Sequence, residues 1–312
     1  WLATVAIVAL TAAHCSTHRH SGGTQTGFTV LKLLLIVTFS VAALTLSPAE
    51  QQVTFNWRSE DAALLTSGAF AVSLIYVNYA YSGWNAATYI SGELASPQRS
   101  LPWVLGISTT LVAALYCLLN FVFLSVAPID AMAGKVEVGV IAANFAFGSS
   151  LGTFMGLLLA LLLISTISAM ILAGPRVLHR IGQDYPRFAA LAQENADGIP
   201  VTAIALQSAT ALVFLWSASF EQILIFSGAT MALNTFATVL GLFVLRWQRP
   251  DIERPFKVTL YPLTPLVFLI ITGWTLTYVV IQRPIEALIS AAVVGSGGAF
   301  YLIVRPQPPS TP

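Results

Sequence analysis

Apolar residues come in long blocks along this chain, and the polar residues fall between them. The blocks run at roughly 1–13, 26–46, 62–94, 102–127, 146–173, 199–217, 221–246, 260–281 and 285–304. Short polar stretches with turn-forming residues separate them. A helix crosses a bilayer with about 20 predominantly apolar residues. The pattern therefore predicts nine membrane segments. The first, 1–13, is too short to span and begins without a Met, so it reads as a helix already in progress in a fragment. The Pro-rich stretch 305–312 is expected to be disordered.

Composition agrees with this pattern. Of 312 residues, 56% are hydrophobic and 9% charged, where a soluble domain carries about 25% charged residues. The fold class is all-α, a polytopic membrane protein whose first partner is the lipid bilayer. Net charge is +1, but distribution matters more than the sum. Placing the 14–25 loop on the cytoplasmic side and alternating puts eleven of the fourteen Lys and Arg residues on that side. Arg58, Lys135 and Arg283 remain on the other. Such a bias sets orientation in the bilayer.

Little else in the sequence suggests covalent chemistry. Cys15 and Cys117 each lie in or beside an apolar run and are read as small buried residues, with no metal-ligand spacing. His14, His18 and His20 share one short loop, expected to be basic and solvated. Metal binding there is the minor reading, since the loop supplies no carboxylate. No nucleophile–base arrangement, phosphate-binding Gly loop or nucleic-acid motif stands out. An enzyme, a cofactor and a nucleic-acid partner are therefore not expected.

Two places break the apolar pattern from within. Tyr79-Ala80-Tyr81-Ser82-Gly83-Trp84-Asn85 lies in the middle of the 62–94 run. Ser82-Gly83 is weakly helical, and Asn85 brings an amide to mid-membrane depth. One reading is a Gly-kinked helix with Asn85 bonded to a neighbour. The other is a broken helix lining a cavity, since backbone freed in lipid must be satisfied by protein, water or ligand. Half-helices meeting at a break aim free N–H and C=O groups at one point, which suits a zwitterion. The second place is Lys32, about six residues inside the 26–46 run. A lysine within a span is costly and often functional; the alternative is a side chain snorkelling to the interface.

Three stretches together resemble the amino acid–polyamine–organocation (APC) permeases, particularly the L-type amino acid transporter branch. The first is Tyr79 to Pro102, YAYSGWNAATYISGELASPQRSLP, with Glu93, Pro97, Arg99 and Pro102 in its second half. The second is Arg176 to Ile204, where Arg176 and Pro200 match and Gly182-Gln183-Asp184 departs from the usual acidic-Gly pair. The third is Arg249 to Pro262, RPDIERPFKVTLYP.

The resemblance implies a partial leucine-transporter-like inverted-repeat fold, holding helices four to twelve of a twelve-helix permease. Residues 1–46 would end the first repeat, 62–246 would form the second, and 260–304 would add two helices. It implies a secondary transporter of neutral L-amino acids, working by alternating access. The coupling is sodium-independent exchange or proton symport, with protons a candidate partner. In the family, helix-six carbonyls hold the substrate ammonium; the matching positions are Tyr79, Ala80 and Ser82. Tyr79 would be the aromatic gate. Gly83 would permit the break, and Tyr81, Trp84 and Asn85 would complete and brace it. Lys32 would stand in for a bound sodium ion, facing Ser165, Thr166 and Ser168, with Ser165 or Ser168 expected within its reach. A polyamine permease and a non-transporting nutrient receptor are the alternatives. A cationic cargo would want a carboxylate, of which Glu93 is nearest in sequence. The larger family members pair with a glycoprotein, and no feature of this sequence identifies an accessory subunit.

Overall fold

Each of the nine apolar runs is built on helix in the computed structural model, which describes residues 1–16, 21–48, 51, 53, 56–89, 91, 96–254 and 256–304. In chain order the helices are α1 (Leu2–Ser16), α2 (Ser21–Leu46), α3 (Ser59–Leu65), α4 (Gly68–Ala80), α5 (Asn85–Tyr89), α6 (Pro97–Val126) and α7 (Ile129–Met132). Then come α8 (Val138–Phe147), α9 (Ser149–Ala173), α10 (Pro175–Asp184), α11 (Val201–Ser217), α12 (Phe220–Gln248), α13 (Leu263–Gln282) and α14 (Pro284–Ile303). Short 3₁₀ segments cover Ser82–Trp84 and Pro186–Ala192. Six helical stretches are long and apolar enough to cross a membrane, and the bent stretch from Ser59 to Thr88 makes up to seven. The remaining two of the nine runs, α1 and α11, are helices of 15 and 17 residues. The chain is a polytopic, all-helical membrane protein.

Three boundaries differ from the sequence expectation. The run 62–94 is divided at Thr66–Ser67, where the path bends by 62°. Ser67 supplies the cause: its Oγ accepts from Phe70 N at 3.2 Å, an N-cap that starts a new helix. The second run starts at Ser21, not at residue 26, and α1 extends to Ser16, so His14 lies inside α1 and not in a loop. His18 and His20 are outside the described residues, as are Glu93 and the Pro-rich tail. Residues 138–147, read as a connection, form α8 ahead of the predicted 146–173 segment. Gly148, at φ 84°, lets α8 turn back against α9. A side chain on Gly152 would overlap Asn144. Cys117, expected to be buried, is exposed on α6; an apolar surface facing lipid needs no burial.

The chain forms two compact units. The first combines Trp1–Asn56, Gly106–Pro175 and Glu194–Ser208. Its core gathers Phe39 and Ala43 of α2, Val122 and Val126 of α6, and Ala142, Ala143 and Ala146 of α8. The Phe39 ring meets Phe123 and Phe147 edge-on, at 6.1 and 6.0 Å between centroids. A second cluster joins Ile171 of α9 to Ile199 and Ile204, with Leu10 and Cys15 packed against it.

The second unit combines Trp57–Leu105, Arg176–Gln193 and Ala209–Pro312. Its core is Val72 and Ile75 of α4, Ala229 and Ala232 of α12, and Val279 of α13. Small residues let these helices approach closely. A Cβ on Gly228 would sit 2.6 Å from Ile75 Cγ2. The Arg249–Pro262 connection is shaped by Arg254, which donates to the carbonyls of Arg249, Pro250 and Ile252 at 2.7–3.1 Å. That arginine folds its own loop. Arg246 stacks over Tyr261, 3.8 Å from the ring centroid.

Candidate functional site

The seven-residue stretch expected to break the span does interrupt it. Helix α4 ends at Ala80, and Tyr81 leaves the helical region at φ −92°, ψ 1°. The next residues, Ser82–Trp84, close a 3₁₀ turn before α5 begins at Asn85. The interruption is tighter than the unwound strand the resemblance implies. The ladder changes from i→i−4 to i→i−3 while the direction is kept, so Gly68–Thr88 still runs as one helical stretch. A mid-helix 3₁₀ stretch often marks a hinge.

The polar groups at the interruption have specific partners. Ser82 Oγ donates to the Tyr79 carbonyl at 2.7 Å. A carbonyl has two lone pairs, so this oxygen keeps an acceptor site. Thr88 Oγ1 donates to the Asn85 carbonyl at 2.7 Å. Tyr79 and Trp84 are 39% and 43% exposed, so both rings border open space. Gly83 has nothing within 4 Å of a built Cβ and no positive φ. Its lack of a side chain leaves room beside the turn; the turn itself does not demand glycine. Ser82 and Asn85 are half-buried. On the other side, Gly228 of α12 packs that helix against Ile75, and a side-chain Cβ there would stand 3.7 Å from Tyr79 Cβ.

Lys32 lies in the first unit, eleven residues past the start of α2 at Ser21, deeper than its sequence position implied. Its Nζ donates to Thr166 Oγ1 at 3.0 Å. Thr166 in turn donates to the Leu162 carbonyl at 3.2 Å. The expected reach to Ser165 or Ser168 is therefore replaced by Thr166. Helical geometry explains why. Ser165 and Ser168 are three apart and share a face, while Thr166 projects about 100° away. Ser168 is engaged from α1, where His14 Nε2 lies 2.8 Å from its Oγ. Ser165 is 2% exposed, and its Oγ has no hydrogen-bond partner among the described residues. Helix α9 thus receives the lysine and the histidine on different faces.

Sequence reasoning missed the His14–Ser168 contact by ending the helix at residue 13. The apolar pattern simply continues one residue into a histidine whose partner is far away in sequence. Among the described residues no group of three His, Cys, Asp or Glu could hold a metal. An apolar hollow in the first unit, lined by residues such as Leu35, Phe39, Phe123 and Met155, has no charged lining residue to hold a zwitterion.

Comparison with known proteins bears on this geometry. The family described as "Amino acid permease" matches residues 1–285. The chain is 27% identical over 318 residues to the large neutral amino acids transporter small subunit 2 of Mus musculus, covering 97% of this chain and 57% of the relative. It is 25% identical over 308 residues to the b(0,+)-type amino acid transporter 1 of Homo sapiens, covering 97% and 62%. It is 27% identical over 294 residues to the Asc-type amino acid transporter 1 of Mus musculus, covering 89% and 52%. The chain thus spans 52–62% of the length of these curated relatives. A match over most of the chain, with helices where the motifs require them, decides the matter: this chain belongs to the amino acid permease family of the APC superfamily, in its L-type amino acid transporter branch.

Proposed function

We propose that this permease moves neutral L-amino acids across its membrane by alternating access, independently of sodium. The observation that carries the proposal is the switch of helical ladder at Tyr81–Trp84 inside a membrane stretch. The turn sets the Tyr79 carbonyl, which keeps a second lone pair beside its bond from Ser82 Oγ, next to the partly exposed Tyr79 and Trp84 rings. In this reading the Tyr79, Ala80 and Ser82 carbonyls accept from the substrate ammonium. Tyr79 closes over it, Tyr81 and Gly83 shape the turn, and Trp84 and Asn85 brace it. Neutral cargo fits because no carboxylate or second cation lies on this stretch. The relatives are named as amino acid transporters, one for large neutral amino acids. The permease would sit in the plasma or inner cell membrane, and no enzymatic step is assigned to it.

Lys32 is assigned the coupling role. Its ammonium, held at Thr166, would supply the charge that a sodium ion supplies elsewhere. Exchange and proton symport both accommodate a lysine there. The test is radiolabelled amino acid uptake and equilibrium binding by the complete permease in proteoliposomes, at acidic and neutral pH, with and without sodium. Lys32→Ala should abolish most uptake and spare most binding. Unchanged uptake at both pH values would reduce Lys32 to an interfacial anchor. Uptake strictly requiring sodium would refute the coupling assignment.

A further inference from the structure

Two side chains from different elements of the second unit meet on one carboxylate, that of Glu221. Arg283 Nη2 donates to Glu221 Oε1 at 2.6 Å, and Tyr76 Oη donates to the same oxygen at 3.4 Å. Arg283 sits between α13 and α14. Its amide donates to the Val279 carbonyl, and its carbonyl accepts from Ala287 N, at 2.8 and 3.0 Å. Glu221 sits in the first turn of α12, behind a capping box in which Ser219 and Gln222 exchange bonds at 3.0 and 3.3 Å. Both ends of the ion pair are therefore rooted in fixed helix termini. Tyr76 lies on α4, three residues before Tyr79. Its bond is the long one, so it is the member that can detach.

We propose that Glu221 is a positioning residue for transport: with Arg283 it forms a fixed post on which Tyr76 latches the half of the broken span that precedes the interruption. The proposal rests on the transport reading above for its consequence, but not for its geometry. By the distribution of Lys and Arg, this latch lies toward the outer face of the membrane, where Arg283 falls. Released, α4 could swing away from α12 and α13 and open the Tyr79 ring to that face. Held, it keeps the approach closed. The charges facing Tyr76 are Glu221, Glu286 and Arg283. The tyrosine hydroxyl is the donor in this cluster.

The pair is partly exposed, with side-chain accessibilities of 40% for Arg283 and 53% for Glu221, so each bond is weak. Exposed contacts of this kind shift equilibria by roughly 1.5- to 5-fold. A gate must open repeatedly, and a weak latch suits that.

Tyr76→Phe removes the latch and keeps the ring and the ion pair. Amide hydrogen exchange across 68–80, measured on the complete permease in nanodiscs, should quicken roughly 1.5- to 5-fold. Exchange across 263–282 should not change. Glu221→Ala, which also breaks the Arg283 ion pair, should do the same to 68–80, and the double variant should not exceed Glu221→Ala by more than error, because the same Tyr76–Glu221 bond is lost in all three. In uptake assays the external KM should fall by a similar factor, since the outward-open fraction rises. Unchanged exchange in both single variants, or additive effects in the double, would overturn the latch. Altered exchange with no wild-type uptake would keep the latch and sink the transport reading instead.

Discussion

Gly228→Ala tests whether the close approach of α12 and α4 governs the site. The added Cβ would stand 2.6 Å from Ile75 Cγ2 and 3.3 Å from the Ile75 carbonyl oxygen. Carbon atoms settle at about 3.5–4.0 Å, so the helices would have to part by about 1 Å. Ile75 cannot give way locally. It is 0% exposed, and its β-branched side chain is stiff in a helix. Two effects compete. Replacing Gly inside a helix gains about 1 kcal/mol of helix propensity. Overpacking a filled core costs about 1–3 kcal/mol. The clash outweighs or matches the gain because the nearest contact, at 2.6 Å, is to a stiff side chain in a filled core. The expected net loss is up to about 2 kcal/mol, or a few degrees in thermal midpoint. The displacement also lands beside Tyr79, so amino acid binding should weaken. The assay is thermal unfolding with ligand binding, repeated in an Ile75→Ala background that removes Cγ2. There Gly228→Ala should cost nothing, or stabilise. An equal penalty in both backgrounds, or none in the wild type, would refute the packing argument.

Gly83→Ala should leave thermal stability within about 0.5 kcal/mol of wild type, since the site of the new methyl is open and φ is ordinary. Binding should nonetheless fall if substrate uses that space; unimpaired binding would remove Gly83 from the site. Thr166→Ala should mimic much of Lys32→Ala in uptake, because Thr166 is the hydroxyl that holds the ammonium; a silent Thr166→Ala would show that another group does so. Gly182→Ala would press a methyl to 2.5 Å from Ala192 N and 2.9 Å from Phe188 O. Limited proteolysis within 176–193 should accelerate at least several-fold, and an unchanged digestion rate would count against that packing.

Where a long apolar run is punctured by a charge or by a Ser-Gly pair, the position stands out in the sequence. Lys32 and the Tyr79–Asn85 stretch were both visible because lipid makes such residues expensive. What escaped was set by facing and by distance along the chain. Thr166 rather than Ser165 receives Lys32 because of where α9 turns toward α2, and no single-sequence pattern encodes that rotation. His14 meets Ser168 across 154 positions, and Tyr76 meets Glu221 across 145. The bend at Thr66–Ser67 was legible in principle as an N-cap, but uniform hydrophobicity on both sides concealed it. Helix α8 was lost for the reverse reason: at ten residues it is too short to register as a span.

The two units are interlaced along the chain, and this bears on synthesis. The segment Arg176–Gln193 belongs to the second unit although the sequence on either side belongs to the first. Its Phe188 and Tyr185 rings lean at a tilt against Phe300, at 5.0 and 6.5 Å between centroids. A ribosome emits chain at about 5–20 residues per second, so a ring made at position 188 waits roughly 6–22 seconds for position 300. Throughout that interval the connector has no aromatic partner, while the helices before it are already in the translocation machinery. The connector is thus open to proteases and to mispairing until α14 emerges. Slower elongation over the last 112 codons before Phe300 should lower the yield of assembled protein, and an insertase that shelters unfinished helices should raise it.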